Sequence, residues 1–272
     1  MFDKQKFVID CNAVREQSPL VHNITNYVAM NIAANGLLAI GASPLMSFCP
    51  EEMEEIVGIS SALAINIGCL DSQQINAMHK AAEAANAQDK PWVLDPVGAG
   101  ASALRTSTAL DLITQYKPAI IRGNASEIMF LAKALGFNSE NISSRGVDSS
   151  VATSAAEQSA VMLAKHSGAV VSVSGAVDFI TDGDKTGTIS NGSPLMPLVS
   201  ALGCTATAIT AAFAAAEKEY FLAAWNAMAL MGVAGEIAEE NAAGAGTGSF
   251  AVKFLDALST FNPEKAAERV KE

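Results

Sequence analysis

The sequence predicts an α/β fold of three layers, in which helices cover both faces of a mostly parallel central sheet. Short apolar runs bounded by Gly, Asp, Asn or Pro alternate with longer segments of helical character. The apolar runs are rich in Ala, Val and Ile and poor in aromatic residues, which is typical of strands buried on both faces. The segments between the runs are long enough for the right-handed crossovers that join parallel strands.

The runs at residues 63–67, 92–94, 119–121 and 170–173 are predicted strands. Residues 72–87, 104–115, 125–135 and 154–165 are the predicted helices among them. Residues 179–181 and 186–190 flank the turn-like DGD at 182–184 and predict a hairpin at the sheet edge. Further helices are predicted at 204–216, 221–239 and 247–258. No linker or repeat interrupts the pattern, so residues 1–272 are expected to form one domain.

Composition restricts the classes of function. The formal net charge is −11 and no segment clusters Lys or Arg, so binding to nucleic acid or to anionic lipid is not expected. The longest apolar stretches, such as 206–216, are interpreted as buried helices too short to span a bilayer. The four cysteines are scattered without a C-x-x-C pair, and the N-terminus lacks an apolar signal region. These features predict reduced thiols and a cytoplasmic location.

Asp95 follows the predicted strand at 92–94 and opens the segment DPVGAG at 95–100. Ligands of open parallel sheets bind beyond the carboxyl ends of the strands. A carboxylate in that place can hold a hydrated Mg²⁺, which prefers one or two carboxylates together with substrate phosphates. A turn in which Asp95 accepts hydrogen bonds from nearby amides is an equally good interpretation.

The segment RGNASE at 122–127 follows the next predicted strand. Asn124 and Glu127 have the spacing of a capping box at the start of a helix. Arg122 differs from them, because a guanidinium at the end of a strand is a natural contact for phosphate. Glu127 offers a second carboxylate that could act on a metal through water, and this role is compatible with capping.

Cys204 lies in the segment SALGCT at 200–205, where a strand-like apolar run meets a long Ala/Thr helix. The free amides at a helix N-terminus suit a phosphoryl group. A thiol there is expected to have a lowered pKa, which would let Cys204 act as a general base on a hydroxyl. The alternative is a small buried cysteine packed against the sheet. His79 and His166 are expected to be surface residues of helices rather than catalytic partners.

Two segments near the N-terminus are candidates for a small-molecule pocket. Asn26 is predicted to be the N-cap of a helix over residues 27–40. Met46 ends the segment GASPLM at 41–46, in which Ser43 and Pro44 are predicted to open an extended run. Amide groups and a soft methionine side chain are typical of such pockets. His22 is expected to be a hydrogen-bonded structural imidazole. The chain contains no G-x-x-x-x-G-K-[ST] motif and no G-x-G-x-x-G after its first strand, so classical dinucleotide binding has little support.

Taken together and in this order, the segments resemble the hydroxyethylthiazole kinase family. Each motif alone is weak, and their joint occurrence in register over roughly residues 14–262 carries the resemblance. The matching motifs are HNITN at 22–26, GASPLM at 41–46, NIG at 66–68, DPVGAG at 95–100, RGNASE at 122–127, SGAVD at 174–178, GC at 203–204 and GTGSF at 246–250.

The resemblance implies a ribokinase-like fold and Mg²⁺-dependent transfer of the γ-phosphoryl group of ATP to 4-methyl-5-(2-hydroxyethyl)thiazole, a step of thiamine salvage. It also implies a homotrimer with active sites at the subunit boundaries. The site residues that it implies are Met46, Ala201 and Asn26 near the substrate, Arg122 and Ser174 at ATP, Asp95 and Glu127 at the metal, and Cys204 where many relatives carry an aspartate base.

Two residues depart from the family pattern, whose Thr-Gly-Ala-Gly-Cys reads SALGC at 200–204 here. Ala201 replaces a glycine that faces the substrate, and its backbone is strained if φ is positive. Leu202 replaces a small residue in the anion-binding turn and is expected to narrow the pocket. Another ribokinase-like enzyme, such as a hydroxymethylpyrimidine kinase or a repair dehydratase, is the nearest alternative. A non-catalytic regulator that binds nucleotide or thiazole is the alternative from a different class.

Overall fold

The computed structural model describes residues 1–137 and 149–272. Its strands form one sheet in the order β2-β1-β3-β4-β5-β6-β7-β8. All pairings from β2 to β6 are parallel, and β7 and β8 are antiparallel, so the predicted parallel sheet with an edge hairpin is confirmed. The strands are β1 (Leu20–Ile24), β2 (Ser43–Met46), β3 (Ala62–Asn66), β4 (Trp92–Asp95), β5 (Ile120–Asn124), β6 (Val170–Ser174), β7 (Asp178–Thr181) and β8 (Thr186–Ile189).

Helices fill the segments between the strands and the C-terminal third of the chain. They are α1 (Lys4–Gln17), α2 (Met30–Ile40), α3 (Met53–Ile59), α4 (Ser72–Ala87), α5 (Ala103–Tyr116), α6 (Ala125–Ala134), α7 (Ser149–Ser167), α8 (Leu202–Ala216), α9 (Tyr220–Ala242), α10 (Thr247–Thr260) and α11 (Pro263–Arg269). The seven helices predicted after residue 70 are all present, with ends that differ by a few residues. The start of α7 differs most, because this helix begins at Ser149 rather than at residue 154.

Two local predictions are wrong. Helix α2 begins at Met30 with Ala29 at its N-cap position, so Asn26 is not its N-cap; the Asn26 side chain accepts the N–H of Ala29 at 3.0 Å in the turn that precedes the helix. The strand-like run before Cys204 forms no strand either. Met196–Leu198 form a 3₁₀ turn there, and the proline at its N-terminal end lacks the N–H that a strand ladder needs.

Each face of the sheet packs against its own layer of helices. Ile120 and Val170 point into the core formed with α1, α2, α8, α9 and α10, whereas Ile121 and Val171 point into the core formed with α3 to α7. This alternation follows from the pleat of the strands. Helix α8 lies over β3 and β4, and its alanines allow a close approach to the sheet.

Helices α2 and α8 also approach each other closely. A Cβ atom placed on Gly36 would lie 2.6 Å from the methyl carbon of Thr205, so α2 meets the first turn of α8 only because residue 36 lacks a side chain.

Helix α9 corrects one expectation about apolar segments. Its 23 residues are long and apolar enough to cross a membrane, by length and composition alone. However, 83% of its most apolar window is buried within the protein. Residues on α9 pack against β6, β7 and β8 and against α8 and α10, so α9 serves the fold as a core helix.

Candidate active site

Three polar side chains lie at the carboxyl end of the sheet, on the face that α8 covers. Asn66 ends β3, Asp95 ends β4, and Arg122 lies near the end of β5. Asn66 and Asp95 are paired in register, and both are only 2% exposed. Buried polar groups of this kind need partners within the protein or from a ligand. The partners that they have define the site.

A continuous hydrogen-bond network joins the Cys204 thiol to the Asp95 carboxylate. The side-chain amide of Asn26 donates to Asn66 Oδ1 at 2.9 Å and lies 3.3 Å from Cys204 Sγ. The amide of Asn66 in turn donates to Asp95 Oδ2 at 2.7 Å. Thr207, one turn along α8 from Cys204, donates its hydroxyl to the same Asp95 oxygen at 2.8 Å. Four separate chain segments therefore meet at this point.

The Asp95 carboxylate is held in an unfavourable environment. Burial raises its pKa to about 6, and the negative charge of Glu127 adds to this effect. The Arg122 guanidinium and the hydrogen bonds from Thr207 and Asn66 act in the opposite direction. Burial prevails because removal from water destabilises the charged carboxylate more than these neighbours stabilise it. A carboxyl group whose pKa is raised toward neutral pH is typical of a functional site.

The expected low pKa of Cys204 is wrong. Burial raises the pKa of the thiol, and the nearby charge of Asp95 raises it further. Hydrogen bonds to Asn26 and Asn66 and the charge of Arg122 lower it without reversing the shift. The N-terminus of α8 alone would favour a thiolate, but burial and a neighbouring anion oppose it. Cys204 is therefore a neutral thiol near pH 7.

The guanidinium of Arg122 has a hydrogen-bond donor without a partner among the described residues. Its Nη1 atom donates to the carbonyl of Gly203 at 2.9 Å, which ties β5 to the first turn of α8. Its buried Nε atom has no hydrogen-bond partner among residues 1–137 and 149–272, and neither has the hydroxyl of Ser172, the register partner of Arg122 in β6. An unpaired buried donor is costly, and an anionic ligand would satisfy it.

A cavity of about 700 Å³ opens beside Arg122, between the end of the sheet and helices α8 and α9. Arg122, Ser174 and Asp178 supply its polar part, and Met196, Met228 and Met231 line another part. Leu202, the bulky residue at this family position, also lines this cavity. The cavity thus combines a charged part with an apolar, sulfur-rich part.

Ser174 and Asp178 bracket the turn between β6 and β7. Ser174 is half-buried, and its hydroxyl lies 3.4 Å from the carbonyl of Gly123, so this bond is weak. The carboxylate of Asp178 accepts the N–H of Gly175 at 3.0 Å and thereby fixes the turn. Burial raises the pKa of Asp178 to about 6, while the bond from Gly175 and the charge of Arg122 lower it. The charge of Arg122 therefore acts on two buried carboxylates, Asp95 and Asp178.

Glu127 forms the predicted capping box. Asn124 Oδ1 accepts the N–H of Glu127 at 3.0 Å, and Glu127 Oε2 accepts the N–H of Asn124 at 2.8 Å. The second oxygen, Oε1, accepts the N–H of Gly98 at 2.9 Å and so ties α6 to the loop after β4. Within the described ranges no group of three or more His, Cys, Asp or Glu side chains could hold a metal alone. A metal here would need ligands beyond Asp95 and Glu127.

The other predicted substrate residue, Met46, lies apart from these groups. It ends the edge strand β2, three strands away from β4, which corresponds to about 14 Å across a sheet. Asn26 follows β1, the neighbour of β2, and so lies between Met46 and Asp95. The imidazole of His22 binds the carbonyl of Ser47 through Nε2 at 2.9 Å, which confirms its structural role beside Met46.

Ala201 has the strained backbone that the departure from the family pattern made conceivable. Its φ is +66°, at the N-cap of α8, where no side chain caps the helix. The left-handed conformation costs a residue with a Cβ atom about 1–2 kcal/mol. This strain sits directly before the turn that carries Gly203 and Cys204.

Ala201→Gly is expected to stabilise the protein slightly. The strain removed exceeds the entropic cost of glycine by about 0.5 kcal/mol, equal to a rise in Tm of about 1–2 °C. Ala211→Gly, in the buried middle of the same helix, is the matched control and should lower stability by about 1 kcal/mol or more. Chemical denaturation of both variants measures the two signs. Equal destabilisation by both changes would contradict the strain.

Sequence reasoning overlooked the roles of Asn66, Thr207 and Asp178. Asn66 is the last residue of β3, and polar residues at the carboxyl end of a strand are candidates for ligand contacts. Asp178 is the first residue of β7 and lies at the same edge of the sheet because β7 runs antiparallel to β6. Thr207 lies three residues after Cys204, on the same face of α8. These two rules could have found Asn66 and Thr207 but not Asp178.

Known proteins with similar sequence and fold place the chain in one family. The model of the hydroxyethylthiazole kinase family matches residues 11–264. A hydroxyethylthiazole kinase from Brachyspira hyodysenteriae is 51% identical over 96% of this chain and 97% of the relative. One from Rhizobium etli is 52% identical over 95% of this chain and 97% of the relative.

Solved structures agree with the sequence comparisons. The hydroxyethylthiazole kinase of Pyrococcus horikoshii OT3 has a TM-score of 0.89 and 38% identity, with 98% of both chains covered. A Bacillus subtilis pyridoxal kinase, at 16% identity and a TM-score of 0.60 over 80% of this chain, shares the fold alone. The fold is thus ribokinase-like, as the resemblance implied. The chain is an enzyme and belongs to the hydroxyethylthiazole kinase family.

Proposed function

We propose that the protein phosphorylates the primary alcohol of 4-methyl-5-(2-hydroxyethyl)thiazole in thiamine salvage, with Mg²⁺–ATP as the phosphoryl donor. The observation that carries this proposal is the convergence of Asp95, Arg122 and the N-terminus of α8 at one end of the sheet. Phosphoryl transfer depends mainly on positioning and electrostatics, and these groups supply both.

The nucleotide would occupy the cavity beside Arg122. Its volume of about 700 Å³ suits a small-molecule ligand. The free Nε donor of Arg122 and the hydroxyl of Ser174 would bind phosphate oxygens. The unpaired amides in the first turn of α8 would face the transferring group. The adenine ring of the nucleotide would lie against the methionine side chains, whose flexible thioethers fit flat aromatic rings.

Asp95 and Glu127 fit a magnesium ion. They are neighbouring carboxylates, and the charge of Glu127 contributes to the raised pKa of Asp95, a repulsion that a divalent cation would relieve. Magnesium is commonly held by one or two carboxylates, waters and substrate phosphates, which agrees with a donor set this small. When bound, the ion would neutralise charge on the phosphate oxygens. Asp95 would orient it directly or through water, and Glu127 through water.

The alcohol would lie between Met46 and Cys204, with its hydroxyl beside Asn26. Asn26 already donates toward Cys204 Sγ, so the thiol has a fixed orientation. Because the thiol is neutral near pH 7, its main effect would be to orient the hydroxyl. A weak base suffices for phosphoryl transfer, and only a minor thiolate population would accept the proton directly.

Cys204→Ala is therefore expected to lower kcat by about ten- to a hundred-fold, near the low end of the effect of one acid–base group. The KM for ATP should stay unchanged, because the thiol touches the acceptor side. With the wild type, kcat should continue to rise above pH 8 as the thiol of raised pKa ionises. Cys204→Ser keeps a hydrogen-bonding group and should lose that alkaline rise. An unchanged kcat in Cys204→Ala would remove the residue from the mechanism.

The proposed reaction is tested by ADP release from purified protein with the thiazole alcohol, with and without Mg²⁺. Release that needs both alcohol and metal is expected. Faster turnover of a hydroxymethylpyrimidine would indicate the related kinase instead. Ligand binding without ADP release would indicate a regulator.

We also propose that residues 1–272 form one domain and that the protein is a cytoplasmic homotrimer. The edge strand β2, which ends at Met46, is half-exposed along its whole length. Tyr27, Val28 and Leu38 nearby are between 58% and 66% exposed. A neighbouring subunit on this surface would cover the apolar groups and enclose the alcohol. Light scattering should give three times the chain mass of 28.1 kDa, and a monomer would contradict the proposal.

A further inference from the structure

Arg105 lies on α5, in the helix layer on the face of the sheet opposite α8. Its side chain links two loops of the candidate site. Its Nη1 atom donates to the carbonyls of Ile67 at 2.8 Å and Val97 at 2.9 Å, and its Nη2 atom donates to Gly68 at 2.9 Å. The first loop follows Asn66 at the end of β3, and the second follows Asp95 at the end of β4. The half-buried guanidinium of Arg105 thus binds the backbone directly after both Asn66 and Asp95.

The bond to Val97 reaches Glu127 through a single peptide group. The carbonyl of Val97 and the N–H of Gly98 belong to the same planar unit, so fixing one orients the other. That N–H donates to Glu127 Oε1 at 2.9 Å. The peptide between residues 97 and 98 is therefore held between a guanidinium on one side and a carboxylate on the other.

Glycine at position 98 makes this arrangement possible. Its φ of +72° is a conformation that residues with side chains rarely adopt. A Cβ atom there would also lie 3.2 Å from Cδ of Arg105, so the arginine packs directly on the turn. The peptide is thus set both by hydrogen bonds and by close packing.

We propose that Arg105 is a positioning residue that sets the orientation of Glu127 and of the Asn66–Asp95 pair, and so the affinity for the metal–nucleotide complex. This inference rests on the proposed function. Lysine cannot replace arginine here, because a single ammonium group cannot reach three carbonyls with the fixed geometry of a guanidinium.

The test compares Arg105→Ala and Arg105→Lys with Arg15→Ala. Arg15 is the matched control, because its guanidinium also donates to a backbone carbonyl, that of Phe261 at 2.7 Å, between α1 and the end of α10. In both Arg105 variants the Mg²⁺ concentration for half-maximal rate should rise by about 10- to 100-fold, with an unchanged KM for the alcohol. Arg15→Ala should lose stability only.

Chemical rescue separates positioning from general stability. Guanidinium ion, at concentrations that leave the Tm unchanged, should restore part of the magnesium affinity of Arg105→Ala and none of that of Arg105→Lys. A magnesium curve of Arg105→Ala that superimposes on the wild type, or a loss that matches Arg15→Ala in proportion to stability, would overturn the inference.

The wild-type protein separates the two proposals. If it releases no ADP with the alcohol at any Mg²⁺ concentration, the proposed function fails. The inference is then decided by the Kd for Mg²⁺–ATP from calorimetry on the wild type and Arg105→Ala. A Kd raised about 10- to 100-fold in the variant supports the role of Arg105, and equal values refute it.

Discussion

Replacing Asp95 by asparagine is expected to abolish most phosphoryl transfer and, at the same time, to stabilise the protein. Asparagine keeps the shape of the side chain and one oxygen for Asn66 and Thr207. It removes the negative charge at the proposed metal and phosphate sites, so kcat should fall by about 10²- to 10³-fold, the cost of losing one electrostatic group in an active site. It also removes the free-energy cost of burying a charged carboxylate.

The pH dependence of this stabilisation follows from the raised pKa of about 6. The folded state holds the Asp95 proton to a higher pH than the unfolded state, so stability falls as pH rises from about 4 to 6. Above pH 6 the ionised carboxylate costs up to about 3 kcal/mol at 1.4 kcal/mol for each pKa unit. Asp95→Asn should therefore exceed the wild type in unfolding free energy at pH 7, and the difference should vanish near pH 4.

Urea denaturation of both proteins across this pH range measures the effect. Asp178, whose pKa is also about 6, is present in both and cancels in the difference. A variant less stable than the wild type at every pH would contradict the stabilisation expected from removing the buried charge.

Arg122→Ala is expected to raise the KM for ATP by about 10²-fold or more, because it removes the buried cation beside the proposed phosphate site. It should also change the pH profile. Arg122 lowers the pKa of Asp95, so without the guanidinium this pKa moves above 6. As the pH is lowered, activity that needs the ionised carboxylate should therefore be lost earlier, which shifts the acid limb of the pH–rate profile to higher pH.

Arg122→Lys separates the two effects. Lysine keeps a positive charge, so the acid limb of the profile should stay close to that of the wild type. It cannot contact the Gly203 carbonyl and a phosphate in the manner of a guanidinium, so the KM for ATP should still rise. An unaltered ATP KM in Arg122→Ala would contradict the assignment.

The fold was predictable where a strand has an apolar centre or flanks a clear turn, and it was less so in the N-terminal part of the chain. Strands β3 to β8 match their predicted positions within a few residues. Strand β1 was missed because His22 and Asn23 interrupt its pattern, and both find hydrogen-bond partners only in the folded protein. Strand β2 is the extended run that Ser43 and Pro44 were predicted to open, and an edge strand tolerates this proline whereas a central strand does not.

The site was predictable where one local rule sufficed. Position at a strand end pointed to Asp95 and Arg122, and residue spacing gave the capping box of Asn124 and Glu127. The pKa of Cys204 was not predictable, because a helix N-terminus is visible in the sequence whereas burial beside Asp95 is not. The bonds of Arg105 likewise join loops that lie far from it in sequence.

The contact between Gly36 and Thr205 bears on how this scaffold can be varied. Glycine-to-alanine exchange inside a helix ordinarily strengthens the helix, so a mutagenesis library guided by propensity would favour alanine at position 36. Here the added methyl group would collide with the neighbour of Cys204 and push the thiol out of line. Gly36→Ala, on α2 and without contact to a ligand, would thus lower kcat.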